Sequence, residues 1–205
     1  MPRYKLYYLK FRARAELSRL MFVLANVEFE DIEFSYEEWP KYKPLMATGQ
    51  CPMLEEDGKR LCQSHAIERY LAKKFGLAGK GDWEEALVDQ VVMTTEDIML
   101  KYYDTYYPQD PEVKRRMLDE ILDVQVPKFL EIFSRLYEEN GGQNGYFVGD
   151  SITMADLAVH ECFTGFLMLR PNIMDKYPKL LHHRTLVESQ PRIAEYLKQR
   201  PSRVM

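Results

Sequence analysis

Two short stretches, Gln50-Cys51-Pro52-Met53-Leu54 and Gln63-Ser64-His65-Ala66-Ile67, carry the most readable chemistry in this chain. Proline has no N–H to give to a sheet ladder, so Pro52 belongs at the start of a strand, and the Cys51–Pro52 bond is a candidate for the cis form. A cis bond there turns the chain so that the backbone N–H and C=O of Cys51 face sideways, where they can pair with a peptide-like ligand. Ser64 reads as the N-cap of a helix with Ile67, Tyr70, Leu71 and Phe75 at helical spacing and Gly76 as its stop. A helix N-terminus presents unpaired N–H groups and about half a positive charge, which suits a carboxylate or phosphate. Backbone hooks beside an anion site describe a small, acidic, peptide-like ligand. Cys51, Cys62 and Cys162 have no C-x-x-C spacing and cannot all pair, and His182 and His183 point apart on a helix. Neither a disulfide framework nor a metal site is expected.

The elements that must hold these residues follow from pattern. Tyr4 to Leu9 is a short strand with Tyr4, Leu6 and Tyr8 on one face and Lys5, Tyr7 and Leu9 on the other. From Ala15 a helical stripe runs through Leu17, Leu20, Met21 and Leu24, and a second strand spans Val27 to Phe34. After a connection marked by Trp39-Pro40 and Lys43-Pro44 comes a hairpin turning at Asp57-Gly58, then the Ser64 helix. This β-α-β, loop, β-β-α order matches a thioredoxin-like domain, assigned to residues 1–79. From Asp82 helical patterns dominate, so 82–205 is expected to be an all-helical domain. It begins with a helix from Asp82 to Tyr107. Another runs from Pro111 to Asn140 with a break at Pro127, and a capping box of Thr153 and Asp156 with Ile152 as staple opens a buried helix.

The 205 residues are 46% hydrophobic and 29% charged, with a formal net charge of −4 and scattered basic residues. Neither nucleic acid nor an anionic membrane is an expected partner. Met1-Pro2-Arg3-Tyr4-Lys5 carries no apolar signal region, so a cytoplasmic location is expected.

The chain carries, in order, Tyr4-Lys5-Leu6-Tyr7-Tyr8, Arg12-Ala13-Arg14-Ala15-Glu16, Trp39-Pro40 with Lys43, Gln50-Cys51-Pro52, Leu61 to Ser64, and Gly149-Asp150-Ser151-Ile152-Thr153-Met154-Ala155-Asp156. Together these separated motifs resemble the cytosolic glutathione transferases. The tyrosine followed by R-x-R-A-E, with W-P further on, is most similar to the sigma class, which includes glutathione-dependent prostaglandin D synthases. The resemblance implies an α/β thioredoxin-like domain plus an all-α domain, a homodimer, glutathione as co-substrate and a small hydrophobic electrophile as its partner in reaction. It implies Tyr8 as the catalytic tyrosine, chosen over its neighbour Tyr7, with Arg14 adding positive potential near the thiol. Trp39, Lys43, Gln50, Cys51 and Pro52 would hold the glycyl and cysteinyl parts. Gln63 and Ser64 would take the γ-glutamyl carboxylate, and Asp97 would reach the γ-glutamyl amino group from the partner subunit. The electrophile would lie against Leu9, Tyr102, Tyr103 and Tyr106. Hydroperoxide reduction, prostaglandin isomerisation and a non-enzymatic, crystallin-like or carrier role are further properties of such relatives.

Three positions depart from the family pattern. Ala13 stands where glycine is usual, Gln50 where many relatives have lysine, and Asp104 where the prostaglandin synthases carry a pocket-lining tryptophan. The chemistry fits the residue types. A thiol with pKa about 8.5 is only a few per cent thiolate at pH 7, and a hydroxyl hydrogen bond to the sulfur favours the charged, nucleophilic form.

Overall fold

A computed structural model describes residues 3–140, 142–201 and 203. The chain forms two compact units, Met1–Leu77 with Glu188–Met205, and Ala78–Val187.

The first unit contains β1 (Tyr4–Leu9), α1 (Ala13–Ala25), β2 (Phe29–Phe34), the short α2 (Trp39–Tyr42), β3 (Met53–Glu56), β4 (Lys59–Cys62) and α3 (Ser64–Phe75). The sheet order is β2-β1-β3-β4, with β1 and β2 parallel and β3 antiparallel to β1 and β4. Parallel neighbours need a crossover, and α1 supplies it. Asp57 and Gly58 both have positive φ, 48° and 81°, as a two-residue hairpin turn of matching twist requires. Leu17, Leu20 and Met21 of α1 are buried as their spacing predicts, and Phe22 joins them, while Leu24 is only half-buried. Phe22 stacks on Phe29 at 4.5 Å and meets Tyr4 at 5.2 Å and Phe75 at 5.4 Å. Ile67, Leu71 and Ala72 of α3 are buried, but Tyr70 turns outward and is exposed. Each large apolar side chain so buried contributes roughly 1.5–3 kcal/mol of transfer free energy.

The second unit is helical: α4 (Gly81–Asp104), α5 (Pro111–Glu120), α6 (Val126–Asn140), α7 (Met154–Leu169) and α8 (Pro178–Glu188). Between α5 and α6, Ile121–Gln125 winds as a π-helical segment. Pro127 has no N–H to give to the carbonyl four residues back, so the regular ladder gives way at the expected place. Most of α7 is buried, and Phe163 meets Phe133 edge-on at 5.5 Å. Asp156, completely buried, completes the capping box with Thr153. It accepts from the backbone N–H of Phe147 (2.7 Å) and of Thr153 (2.7 Å), and from the Thr153 hydroxyl (3.0 Å). His183 Nε2 lies 2.9 Å from the same carboxylate. Among the described residues no helix is long and apolar enough to cross a membrane.

The sequence pattern assigned all of 82–205 to one helical domain, but Glu188–Met205 groups with the first unit, where α9 (Pro191–Gln199) lies on α1. Helical periodicity marks α9 as a helix without saying which core it joins. Its partners decide that, since Tyr196 and Arg200 both bond Glu16 in α1.

Candidate active site

Tyr8 sits near the end of β1, packed with Leu6 on the sheet and Ala15 on α1. Tyr7 faces the other side, among Phe34, Met46 and Met53. The backbone N–H of Arg14, in the first turn of α1, donates to the Tyr8 hydroxyl. Burial is the main influence on Tyr8 and the adjacent Cys51 thiol adds to it; the Arg14 and Arg19 charges oppose them, and the phenol is pushed up to about 12. At neutral pH it is therefore an intact O–H donor whose oxygen already accepts one hydrogen bond, an arrangement that strengthens the proton it offers. Ala13, where relatives use glycine, is the first residue of α1 and has φ of 31°, the left-handed region glycine enters without cost.

The Cys51–Pro52 bond is cis, and Pro52 leads into β3. Thr48 Oγ1 donates to the Gln50 carbonyl at 3.4 Å, steadying the approach to that bond. Cys51 is half-buried and touches both sides of the sheet's end, sharing one cluster with Tyr8 and Leu9 and the other with Tyr7 and Trp39. Burial pushes its thiol up, partly offset by the backbone N–H of Leu9. A buried, protonated thiol is a poor nucleophile. In native protein at pH 7, a disulfide reagent should label Cys51 slowly and the fully buried Cys162, also pushed well up by burial, not at all. Both should react at free-thiol rates in guanidinium. Fast native labelling of Cys51 would contradict this placement.

The helix α3 begins at Ser64, which is its first helical residue and not its cap; the capping position is held by Gln63, with φ of 78°. The N–H groups of this first turn have no partner within the helix, and the buried Ser64 and exposed Gln63 stand at its mouth. Trp39 is half-buried and stacks on Phe34, ring centroids 5.7 Å apart. Lys43 and Gln50 are exposed, the Lys43 stem passing close over Gly49. Tyr8, Leu9, Arg14 and Cys51 thus meet directly, while Trp39 joins them through the cluster it shares with Cys51.

In the second unit Asp97 is exposed on α4. The tyrosines diverge. Tyr102 is buried against Phe166 at 5.6 Å, with its hydroxyl 3.0 Å from that of Tyr106. Tyr103 is half-buried, and Tyr106 and Tyr107 are exposed beyond the end of α4. Of the expected aromatic wall, Tyr102 is therefore largely engaged in packing. Among the described residues no group of three or more His, Cys, Asp or Glu side chains is placed to hold a metal.

Absent from the sequence expectations is a set of charges beneath the β1–α1 turn, in which buried Glu16 and Arg19 meet the partly buried Asp31, Glu33, Arg200 and Arg203. The available signal was Glu16 and Arg19, three residues apart and interrupting an apolar helical stripe, where a solvated pair would sit on the opposite face.

A thioredoxin-like sheet unit, with a cis-proline before its third strand and a helix N-terminus beside it, joined to an all-helical unit, is the architecture of a glutathione-handling enzyme. Residues 3–73 match the glutathione S-transferase N-terminal domain and residues 96–200 the glutathione S-transferase C-terminal domain. The chain is 38% identical over 201 residues to the hematopoietic prostaglandin D synthase of Gallus gallus, covering 98% of each. It resembles the solved structure of a monomeric glutathione S-transferase from the hookworm Necator americanus with a TM-score of 0.89 at 39% identity, covering 98% of both chains. A sigma-class glutathione transferase of Fasciola hepatica gives 0.88 at 31% identity, again over 98% of both. The chain belongs to the glutathione S-transferase family.

Proposed function

We propose that this protein conjugates the thiolate of glutathione to hydrophobic electrophiles, with Tyr8 as the donor that stabilises the thiolate. The observation that carries this is the neutral, buried Tyr8 phenol, whose oxygen is held by the Arg14 N–H and whose own proton remains to be given. In this reading Arg14 adds positive potential. The Cys51 main chain pairs with the tripeptide backbone, with Pro52 fixing its direction. Trp39, Lys43 and Gln50 hold the glycyl end, and Gln63 and Ser64 receive the γ-glutamyl carboxylate at the start of α3. The half-buried Tyr103 and exposed Tyr106 offer aromatic surface to an apolar electrophile.

The finer assignments are a sigma-class, cytoplasmic homodimer in which Asp97 serves the partner's glutathione. Their support is the Tyr8, R-x-R-A-E and W-P pattern and the exposure of Asp97 on α4. A second reading, isomerisation of a prostaglandin endoperoxide, draws support from relatives of that name; Asp104, at the end of α4, lacks the tryptophan that it would use.

The test pairs turnover of glutathione with 1-chloro-2,4-dinitrobenzene and a thermal-shift titration with S-hexylglutathione. Ligand at about 100 times its Kd should add roughly 2.7 kcal/mol of stability. No stabilisation at millimolar ligand sinks the glutathione site. Stabilisation without turnover moves the screen to prostaglandin H2 and lipid hydroperoxides, and sedimentation at working concentration decides between monomer and dimer.

A further inference from the structure

If Tyr8 stabilises a thiolate, the charges around Arg19, none of them assigned to a substrate above, bear on that task. Arg19 is almost completely buried, and its guanidinium donates from Nη1 to the Phe11 carbonyl at 2.9 Å, holding the turn that links Tyr8 to α1. The same guanidinium meets Glu16 Oε2 at 3.1 Å, Asp31 Oδ2 at 2.9 Å and Glu33 Oε1 at 3.5 Å. One cation thus faces three carboxylates. Two more arrive from the far end of the sequence. Arg200 Nη1 donates to Glu16 Oε1 at 3.1 Å, beside the Tyr196 hydroxyl at 2.9 Å. Arg203 donates from Nε to Glu33 at 2.6 Å and from Nη2 to Asp31 at 3.2 Å, with its side chain 8% exposed.

The groups facing Arg19 are therefore Glu16 from α1, Asp31 and Glu33 from β2, Tyr196 from α9, and the two arginines that follow α9. With all three arginines present the formal charges cancel. Without Arg200 and Arg203 the cluster would carry a net charge of about −2 in a poorly solvated place, where screening is weak. That charge would lie under a site whose task is to favour an anion, where Arg19, with Arg14, is one of the cations acting on Tyr8.

We propose that Arg200 and Arg203 are positioning residues for the reaction. By neutralising Glu16, Asp31 and Glu33 they leave the positive charge of Arg19 directed at the thiolate end of the site, and they hold α9 against the helix that carries Arg14. Neither residue is among those assigned to glutathione above; both act through Arg19 and α1.

The readout is the ionisation of bound glutathione, followed by thiolate absorbance near 240 nm and by the pH profile of kcat/KM for conjugation. Arg203→Gln should raise the midpoint by about half a pH unit, and Arg200→Gln with Arg203→Gln by about one, each with thiolate reduced accordingly at neutral pH. Glu33→Gln alone should move it the other way. Combining Arg203→Gln with Glu33→Gln restores the charge balance while leaving the contact broken, and should return the midpoint to that of the wild type; Arg203→Lys should also preserve it. If the combined variant stays shifted like Arg203→Gln alone, or if Glu33→Gln leaves the midpoint unmoved, the role is packing and the proposal falls. Should Arg203→Gln not fold by circular dichroism, the direction of the Glu33→Gln shift decides alone. A wild type that binds glutathione with no thiolate signal overturns the Tyr8 reading and this inference with it, whereas a normal wild-type signal with unmoved variants overturns only the inference.

Discussion

Tyr8→Phe is expected to lower kcat/KM for conjugation about 25-fold at pH 7 and to move the pH profile upward by about two units. A thiol lowered to a pKa of about 6.5 is roughly 75% thiolate at pH 7, and one left near 8.5 is roughly 3%. The loss must therefore shrink as pH rises, and the two enzymes should converge by about pH 9. Tyr8 itself, pushed up to about 12, stays protonated through that window, so no falling limb between pH 7 and 9 is to be ascribed to it. Steady-state rates across pH 6 to 9 check this. A uniform loss with an unmoved profile would mean that Tyr8 positions the tripeptide without tuning its sulfur.

Asp156→Ala carries the largest expected cost in stability. The carboxylate serves two buried backbone N–H groups and the Thr153 hydroxyl, with His183 against it, so its removal strands donors that no water reaches. Loss of a helix cap together with two or more unsatisfied buried groups should cost about 4 kcal/mol. For a chain of this size that lowers Tm by roughly 10 °C. Asp156→Asn retains an acceptor and should lose less. Denaturant and thermal melts of both variants test the ordering, and an alanine variant within 1 kcal/mol of wild type would falsify the central place given to this carboxylate.

Asp156 also shows what the sequence could disclose. A capping box is a local device, with donor and acceptor three residues apart, so Thr153 and Asp156 announce it without reference to the fold. The Asp57-Gly58 hairpin and the proline-marked start of β3 are legible for the same reason. Ser64 is a near miss, because whether the cap falls on it or on Gln63 depends on the left-handed φ of Gln63, which no side-chain pattern encodes. Tyr102 and Tyr106 look alike in sequence, yet one packs on Phe166 and the other is open, since α4 ends between them. The charge cluster was hidden more deeply. Glu33 and Arg203 are far apart in the chain and each alone reads as solvated surface; only the return of the chain after α8 brings them to 2.6 Å. Tyr8 is legible mainly through the family pattern, whereas Cys51 and the start of α3 are also marked by local signals, Pro52 after the one and the helix-opening run from Ser64 at the other.

That return bears on how the protein is made. The unit Ala78–Val187 is contiguous in sequence, whereas the unit begun by Met1–Leu77 is completed only when Glu188–Met205 has been synthesised, bringing α9 and the balancing arginines. Until then Arg19 faces its three acidic partners alone. A chain cut short before α9 would leave the sheet unit without the helix that packs on α1 and without the arginines that pair with Glu16, Asp31 and Glu33.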